Sequence, residues 1–152
     1  MADISVSREI AAPPEEVWRL VSDVTRMGEW SPECTGGTWL KGAAGPAVGA
    51  RFKGTNEAGG KKWATTCEVT ESVPGERFSF AVSGGPFKVA TWSYAFEPAG
   101  AGTRVTESWT DQRHPVMAWI FGKVTGVTDR ASHNRANMER TLESLDRAAT
   151  AA

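Results

Sequence analysis

Residues 115–145 read PVMAWIFGKVTGVTDRASHNRANMERTLESL, and in them Val116, Ile120, Val124, Val127, Ala131, Asn134, Met138, Leu142 and Leu145 recur at spacings of three and four. That spacing draws one apolar stripe along a long α-helix. Pro115 suits its first turn, where a missing N–H leaves nothing unpaired. Gly122 and Gly126 weaken the first part, and either kink the helix or leave a separate segment ahead of it.

Upstream the period changes. The stretches 33–41, 49–57, 61–73, 76–84, 87–98 and 102–112 read as strands, separated by turn signals such as Ala58-Gly59-Gly60, Val73-Pro74-Gly75-Glu76 and Gly84-Gly85-Pro86. Such regular spacing with short turns indicates an antiparallel meander. The glycine-rich pairs read as hairpin turns, or as gating loops at a mouth. Ahead of the meander, Ile4, Val6, Arg8 and Ile10 share one parity of a half-buried strand. Pro13-Pro14-Glu15-Glu16 then opens a helix with acidic groups at its positive end. Ser22-Asp23 caps a second short helix expected to end near Gly28. The order is strand, two short helices, six strands, long helix. This is an α+β chain in which a curved seven-stranded antiparallel sheet wraps the C-terminal helix, read as a single domain over residues 1–152.

The chain holds seven tryptophans, Trp18, Trp30, Trp39, Trp63, Trp92, Trp109 and Trp119. Several read as walls of a cavity between sheet and helix, because tryptophan lines concave pockets at low entropic cost. The alternative is that they only fill a core. Parity assigns the inward faces: Phe78, Phe80 and Val82; Trp92, Tyr94 and Phe96; Val105, Glu107 and Trp109; Trp63, Thr65, Cys67 and Val69; Phe52, Gly54 and Asn56. A one-residue bulge would invert any of these sets.

Lys and Arg number 17 against 18 Asp and Glu, for a net charge of −1. With no basic stripe, nucleic acid is not an expected partner. No apolar run approaches a membrane span, so membrane insertion is not expected either. The first residues, Met1-Ala2-Asp3-Ile4, lack the pattern of a secretory signal, and the spacing of Cys34 and Cys67 suits neither a metal knuckle nor a redox pair. The expectation is a cytoplasmic protein with reduced thiols, monomeric or homodimeric, with Trp119 and Phe121 as an outward apolar flank at which two copies would meet.

Ala12-Pro13-Pro14-Glu15-Glu16-Val17-Trp18, Glu29-Trp30-Ser31-Pro32-Glu33, Gly49-Ala50-Arg51-Phe52, Gly75-Glu76-Arg77-Phe78 and Gly102-Thr103-Arg104-Val105-Thr106-Glu107 together resemble the helix-grip superfamily of START lipid-transfer domains and birch-pollen allergen-type proteins. The likeness is greatest to its bacterial polyketide cyclase/dehydrase branch. The resemblance implies a hydrophobic ligand pocket, with the Trp30–Glu33 region at its border. It names no ligand, because one scaffold carries many functions.

No nucleophile elbow, phosphate loop or dinucleotide fingerprint is present, and His114 and His133 have no companion at a metal-binding spacing, so no metal or cofactor is expected. His114 reads as the end of a loop and His133 as a surface residue on the helix flank. The informative residues are polar ones on apolar faces. Glu107 lies between Val105 and Trp109, Asn56 shares parity with Phe52, Arg8 with Val6 and Ile10, and Asn134 sits in the helix stripe. Burying such groups unpaired costs roughly 1–3 kcal/mol, and more for a charge, so each needs a partner, water or ligand. They read either as an internal Arg8–Glu107 ion pair or as polar anchors in an aromatic pocket. Trp30, Phe52, Asn56, Trp63, Thr65, Cys67, Phe80, Trp92, Tyr94, Glu107, Trp109, Val127, Asn134 and Met138 form the expected ligand wall. Glu107, Tyr94 and Arg8 are the candidates for acid–base chemistry. Three functions are consistent with this reading: binding of an apolar or aromatic small molecule, an aromatase/cyclase-type enzyme, and a co-chaperone-type interaction module.

Overall fold

In the computed structural model, residues 2–151 are described. The strands are β1 (Ile4–Ile10), β2 (Cys34–Trp39), β3 (Arg51–Ala58), β4 (Lys61–Val73), β5 (Arg77–Gly84), β6 (Phe87–Ala99) and β7 (Gly102–Asp111). They form one antiparallel sheet in the order β1-β7-β6-β5-β4-β3-β2, which leaves β1 and β2 as its edges. Helices α1 (Pro14–Ser22) and α2 (Met27–Trp30) follow β1, and α3 (Pro115–Thr125) and α4 (Arg130–Thr150) follow β7. This is the helix-grip architecture, with a curved sheet closed around the C-terminal helix. No helix among the described residues is long and apolar enough to cross a membrane.

The two-residue turns at Gly59-Gly60 and Gly85-Pro86 join β3 to β4 and β5 to β6 as ordinary hairpins. Positive φ at Gly59, Gly60 and Gly85 supplies the twist such turns need. The inward parity holds across the sheet: Phe52, Cys67, Val69, Phe78, Phe80, Val82, Tyr94, Phe96, Val105, Glu107 and Trp109 are all buried. One bulge, near the β5–β6 hairpin, leaves Val89 unpaired between Lys88 and Ala90. It turns both Val89 and Ala90 toward the interior.

The second short helix runs through Gly28 and ends at Trp30, past the expected stop. Gly28 is there because the helix lies flat on β2: a Cβ on it would sit 2.4 Å from the Thr35 carbonyl oxygen, and one on Gly37 2.5 Å from that of Val24. Asp23 caps this corner as expected, accepting from the Thr25 amide.

The C-terminal helix is two helices. Gly126 adopts φ 75° and closes α3 with its amide on Gly122, the left-handed stop that glycine allows. Asp129 then caps α4, accepting from Ser132 N. The break resets the helical phase. Val127 falls in the connector, half-buried and off the cavity wall. Phe121, expected outward, turns in against Gly84, whereas Trp119 is 66% exposed.

Two ion pairs fasten α4 across the open side of the sheet. Near its start Arg130 holds Glu33, just before edge strand β2, at 2.7 and 2.9 Å. Near its end Asp146 accepts from Arg8 of edge strand β1 at 2.8 Å. The first is largely buried and the second partly exposed, so solvent screens the second more, while removing either partner of the first would strand a buried charge. Arg8 is thereby corrected as an interior candidate. On an edge strand its side chain reaches past the sheet to the helix terminus, and the Arg8–Glu107 pair does not form.

A candidate ligand cavity between sheet and helices

Between the inner face of β3–β7 and the helices lies a cavity of about 240 Å³. This lies just below the range of small-molecule sites, roughly 300–1,000 Å³. Its wall is mostly apolar. Trp30 comes from α2, Phe52 from β3, Trp63 from β4, Phe80 from β5, Trp92 from β6 and Trp109 from β7. Met138 is contributed by α4, while Phe121 and Val124 of α3 close one end. Trp92 and Trp109 lie side by side at 6.4 Å, and Phe52 and Phe80 meet edge to face at 5.3 Å. The other three tryptophans are elsewhere. Trp18 donates to the Arg77 carbonyl, Trp39 packs on Phe52, and Trp119 faces outward. Gly54 is part of the wall and leaves the space its missing side chain would fill.

Cys34, Asn56, Thr65, Cys67, Tyr94 and Asn134 also border the cavity. Both cysteines are free. Burial pushes the Cys67 thiol up to about 12 and raises that of Cys34, so neither is a nucleophile at neutral pH.

Two polar groups break the apolar lining. At the α3 end, Arg130 binds Glu33, Thr125 Oγ1 at 3.1 Å and Asn134 Oδ1 at 3.4 Å. Its guanidinium also lies over the Trp63 ring at 5.9 Å. His133, expected on the surface, is half-buried with Nε2 3.2 Å from Glu33 Oε1. That nitrogen makes no hydrogen bond among the described residues. Nearby, Arg113 clasps Asp111 at 2.8 and 2.9 Å. Burial alone would raise the Asp111 carboxyl, but the Arg113 hydrogen bonds outweigh it and hold it low. Neither Arg113 nor Arg130 is signalled by strand parity or helix period, since both lie beside turns and reach the site by their length. His114 caps α3 through Nδ1, accepting from the Val116 amide.

The second polar group is deeper. Tyr94 Oη, on the wall, donates to Glu107 Oε2 at 2.8 Å. Glu107 itself lies off the wall, one strand over and in register with both Tyr94 and Val6. It is 3% exposed, and its Oε1 has no partner among the described residues. Burial raises the Glu107 carboxyl to about 8, the Tyr94 bond only partly offsetting it. Burial, then the neighbouring carboxyl, raises the Tyr94 phenol well above its ordinary range. Both groups are therefore neutral at pH 7.

A family model described as "Polyketide cyclase / dehydrase and lipid transport" matches residues 1–150. The chain is 34% identical to the Polyketide_cyc-like protein Cgl2372 from Corynebacterium glutamicum, covering 95% of this chain and 88% of that one, with a TM-score of 0.57. It is 25% identical to TTHA0849 from Thermus thermophilus, with coverages of 94% and 93% and a TM-score of 0.71. The di-domain ARO/CYC StfQ from the steffimycin biosynthetic pathway shares the fold at 16% identity, with a TM-score of 0.74 over 96% of this chain and 50% of that one. No curated protein matches the sequence.

Proposed function

This chain belongs to the polyketide cyclase/dehydrase and lipid transport family, and from that premise we propose that it binds a largely apolar or aromatic small molecule in the cavity between sheet and helices. The observation that carries this reading is the wall itself: four tryptophans from four separate elements converge on one space that side chains leave unfilled. Aromatic walls give a flat ligand contact area without a large entropic penalty, and two polar groups suffice to orient it.

The reading is tested by titrating tryptophan fluorescence against aromatic polyketides, flavonoids, sterols and fatty acids. Saturable quenching by one class is expected. Trp92→Ala is expected to weaken that ligand by about tenfold, the loss of a buried aromatic contact. Trp39→Ala, which removes a ring packed behind Phe52, should change affinity much less. Equal losses from both would remove Trp92 from the site.

The Tyr94–Glu107 pair favours a second reading, an aromatase/cyclase-type activity. With Glu107 neutral, its carboxylic proton can be donated to the phenol oxygen, which frees the Tyr94 proton to reach a ligand carbonyl. A carbonyl held this way is polarised toward attack by an enol carbon of the same chain. Above about pH 8 the carboxylate forms and retains the phenol proton. Affinity for carbonyl ligands is therefore expected to fall as pH rises through about 8. In Tyr94→Phe it should be weaker by up to about tenfold and independent of pH over this range. A wild-type profile as flat as that of the variant would remove the pair from ligand recognition.

A further inference from the structure

Helix α3 is apolar on both sides. Inward, Phe121, Val124 and Thr125 face the cavity. Outward, Val116, Trp119, Ile120 and Val124 are 59%, 66%, 39% and 51% exposed. A helix apolar all round is normally buried, yet this outer face has no partner among the described residues. Phe87, 47% exposed at the β5–β6 hairpin, extends the same end of the molecule, since that hairpin touches α3 where Phe121 meets Gly84.

The charges nearest this face are mostly basic. Lys123 lies over the Trp119 ring at 4.9 Å. The Lys61 stem packs against Gly126, at the end of α3. Lys62 and Lys88 are exposed on the two hairpins beside it. Of the acidic groups nearby, Asp111 is clasped by Arg113 and Asp129 caps α4. Glu57 stands across from Lys62 in the ladder. This basic fringe belongs to a chain whose net charge is −1.

We infer that this end of the molecule, α3 with the β3–β4 and β5–β6 hairpins, docks on an anionic lipid surface. Apolar side chains with an exposed tryptophan and a rim of lysines are the elements of an interfacial helix, which lies in the headgroup layer and does not cross it. A second copy of this chain fits less well. A two-fold interface packs the same patch of both copies together, which would gather two lysine rims around one contact. The docked helix also forms the cavity wall at Val124, so that an apolar ligand leaving there would enter lipid rather than water.

The test is co-sedimentation of the full chain with phosphatidylcholine vesicles and with vesicles containing phosphatidylglycerol. Binding to the anionic vesicles, weak or absent on the neutral ones and lost at high salt, is expected. Lys123→Glu and Lys61→Glu should each weaken it by roughly fivefold or more. Trp119→Ser, on an exposed side chain, should weaken it by about tenfold, whereas Val48→Ser, exposed at the opposite end of the sheet, should leave it unchanged. Equal binding to neutral and anionic vesicles, no binding to either, or a dimer in light scattering that Trp119→Ser dissociates would each overturn the inference. Vesicle binding does not require an occupied cavity, so loss of ligand quenching and loss of sedimentation are separable results.

Discussion

Glu107→Gln is expected to make the protein more stable than the parent by roughly 3 kcal/mol at pH 7, and equally stable at pH 4. The sign follows from the carboxyl being raised in the folded state to about 8. Below its ordinary value near 4.5 the carboxyl is neutral in folded and unfolded chains alike, and nothing is lost. As pH rises from there to about 8, the unfolded chain releases the proton while the folded one retains it. Each pH unit then favours unfolding by about 1.4 kcal/mol. Glutamine keeps the shape and the acceptor for Tyr94 Oη, and has no charge to lose. Unfolding in urea at pH 4, 7 and 8 measures the difference, which corresponds to a rise in Tm of about 6–12 °C at pH 7. Parallel pH dependences in parent and variant would mean that Glu107 ionises freely inside the fold. The expected outcome bears on function as well. A carboxyl that, among the described residues, has one unpaired oxygen weakens the fold it sits in, while its phenol partner opens on the cavity.

Sheet, helices and the inward face were legible because one-sided burial leaves a period that survives in sequence. Phe78, Phe80 and Val82 share one side of β5, and Ser79 lies on the other, buried but with its hydroxyl on the Glu71 carboxylate and the Ser93 hydroxyl. Local pattern stops locating side chains where periodicity ends. Arg8 has interior parity on an edge strand, where a long side chain escapes past the sheet to Asp146. A single phase carried along 115–145 places Val127 inward and Phe121 outward, and the left-handed Gly126 interrupts that phase. Glycine at this position was visible; whether it would kink the helix or divide it was decided by the capping of Asp129 on the far side. The Glu33–Arg130 pair spans 97 residues, and no local pattern encodes it. It exists because curvature brings the β2 edge to the start of α4. Tyr94 and Glu107 could each be read as inward, but their contact required the β6–β7 register.

Gly54→Leu should separate the cavity from the fold. The backbone of β3 at this position is an ordinary strand, paired with Gly37 on one side and Thr65 on the other. A Cβ built on Gly54 meets Thr65 Oγ1 at 3.5 Å and Cys67 Sγ at 3.9 Å, both normal contacts. The rest of a leucine side chain would then project into the cavity. Replacing glycine within a strand removes an entropic penalty of about 0.5–1 kcal/mol, and the new apolar surface is buried. Stability is therefore expected to stay level or rise by about 1 kcal/mol. Ligand binding is expected to fall by tenfold or more, since a ligand sharing that space incurs an overpacking penalty of about 1–3 kcal/mol. The measurement is a paired one: urea unfolding, and titration with the ligand class found by fluorescence quenching. Weaker binding in a protein of unchanged stability locates the ligand in the cavity, because a distant surface site would not respond to a leucine side chain buried under β3. Undiminished binding in a well-folded Gly54→Leu protein would put the ligand elsewhere, and the tryptophan wall would then be a loosely filled core.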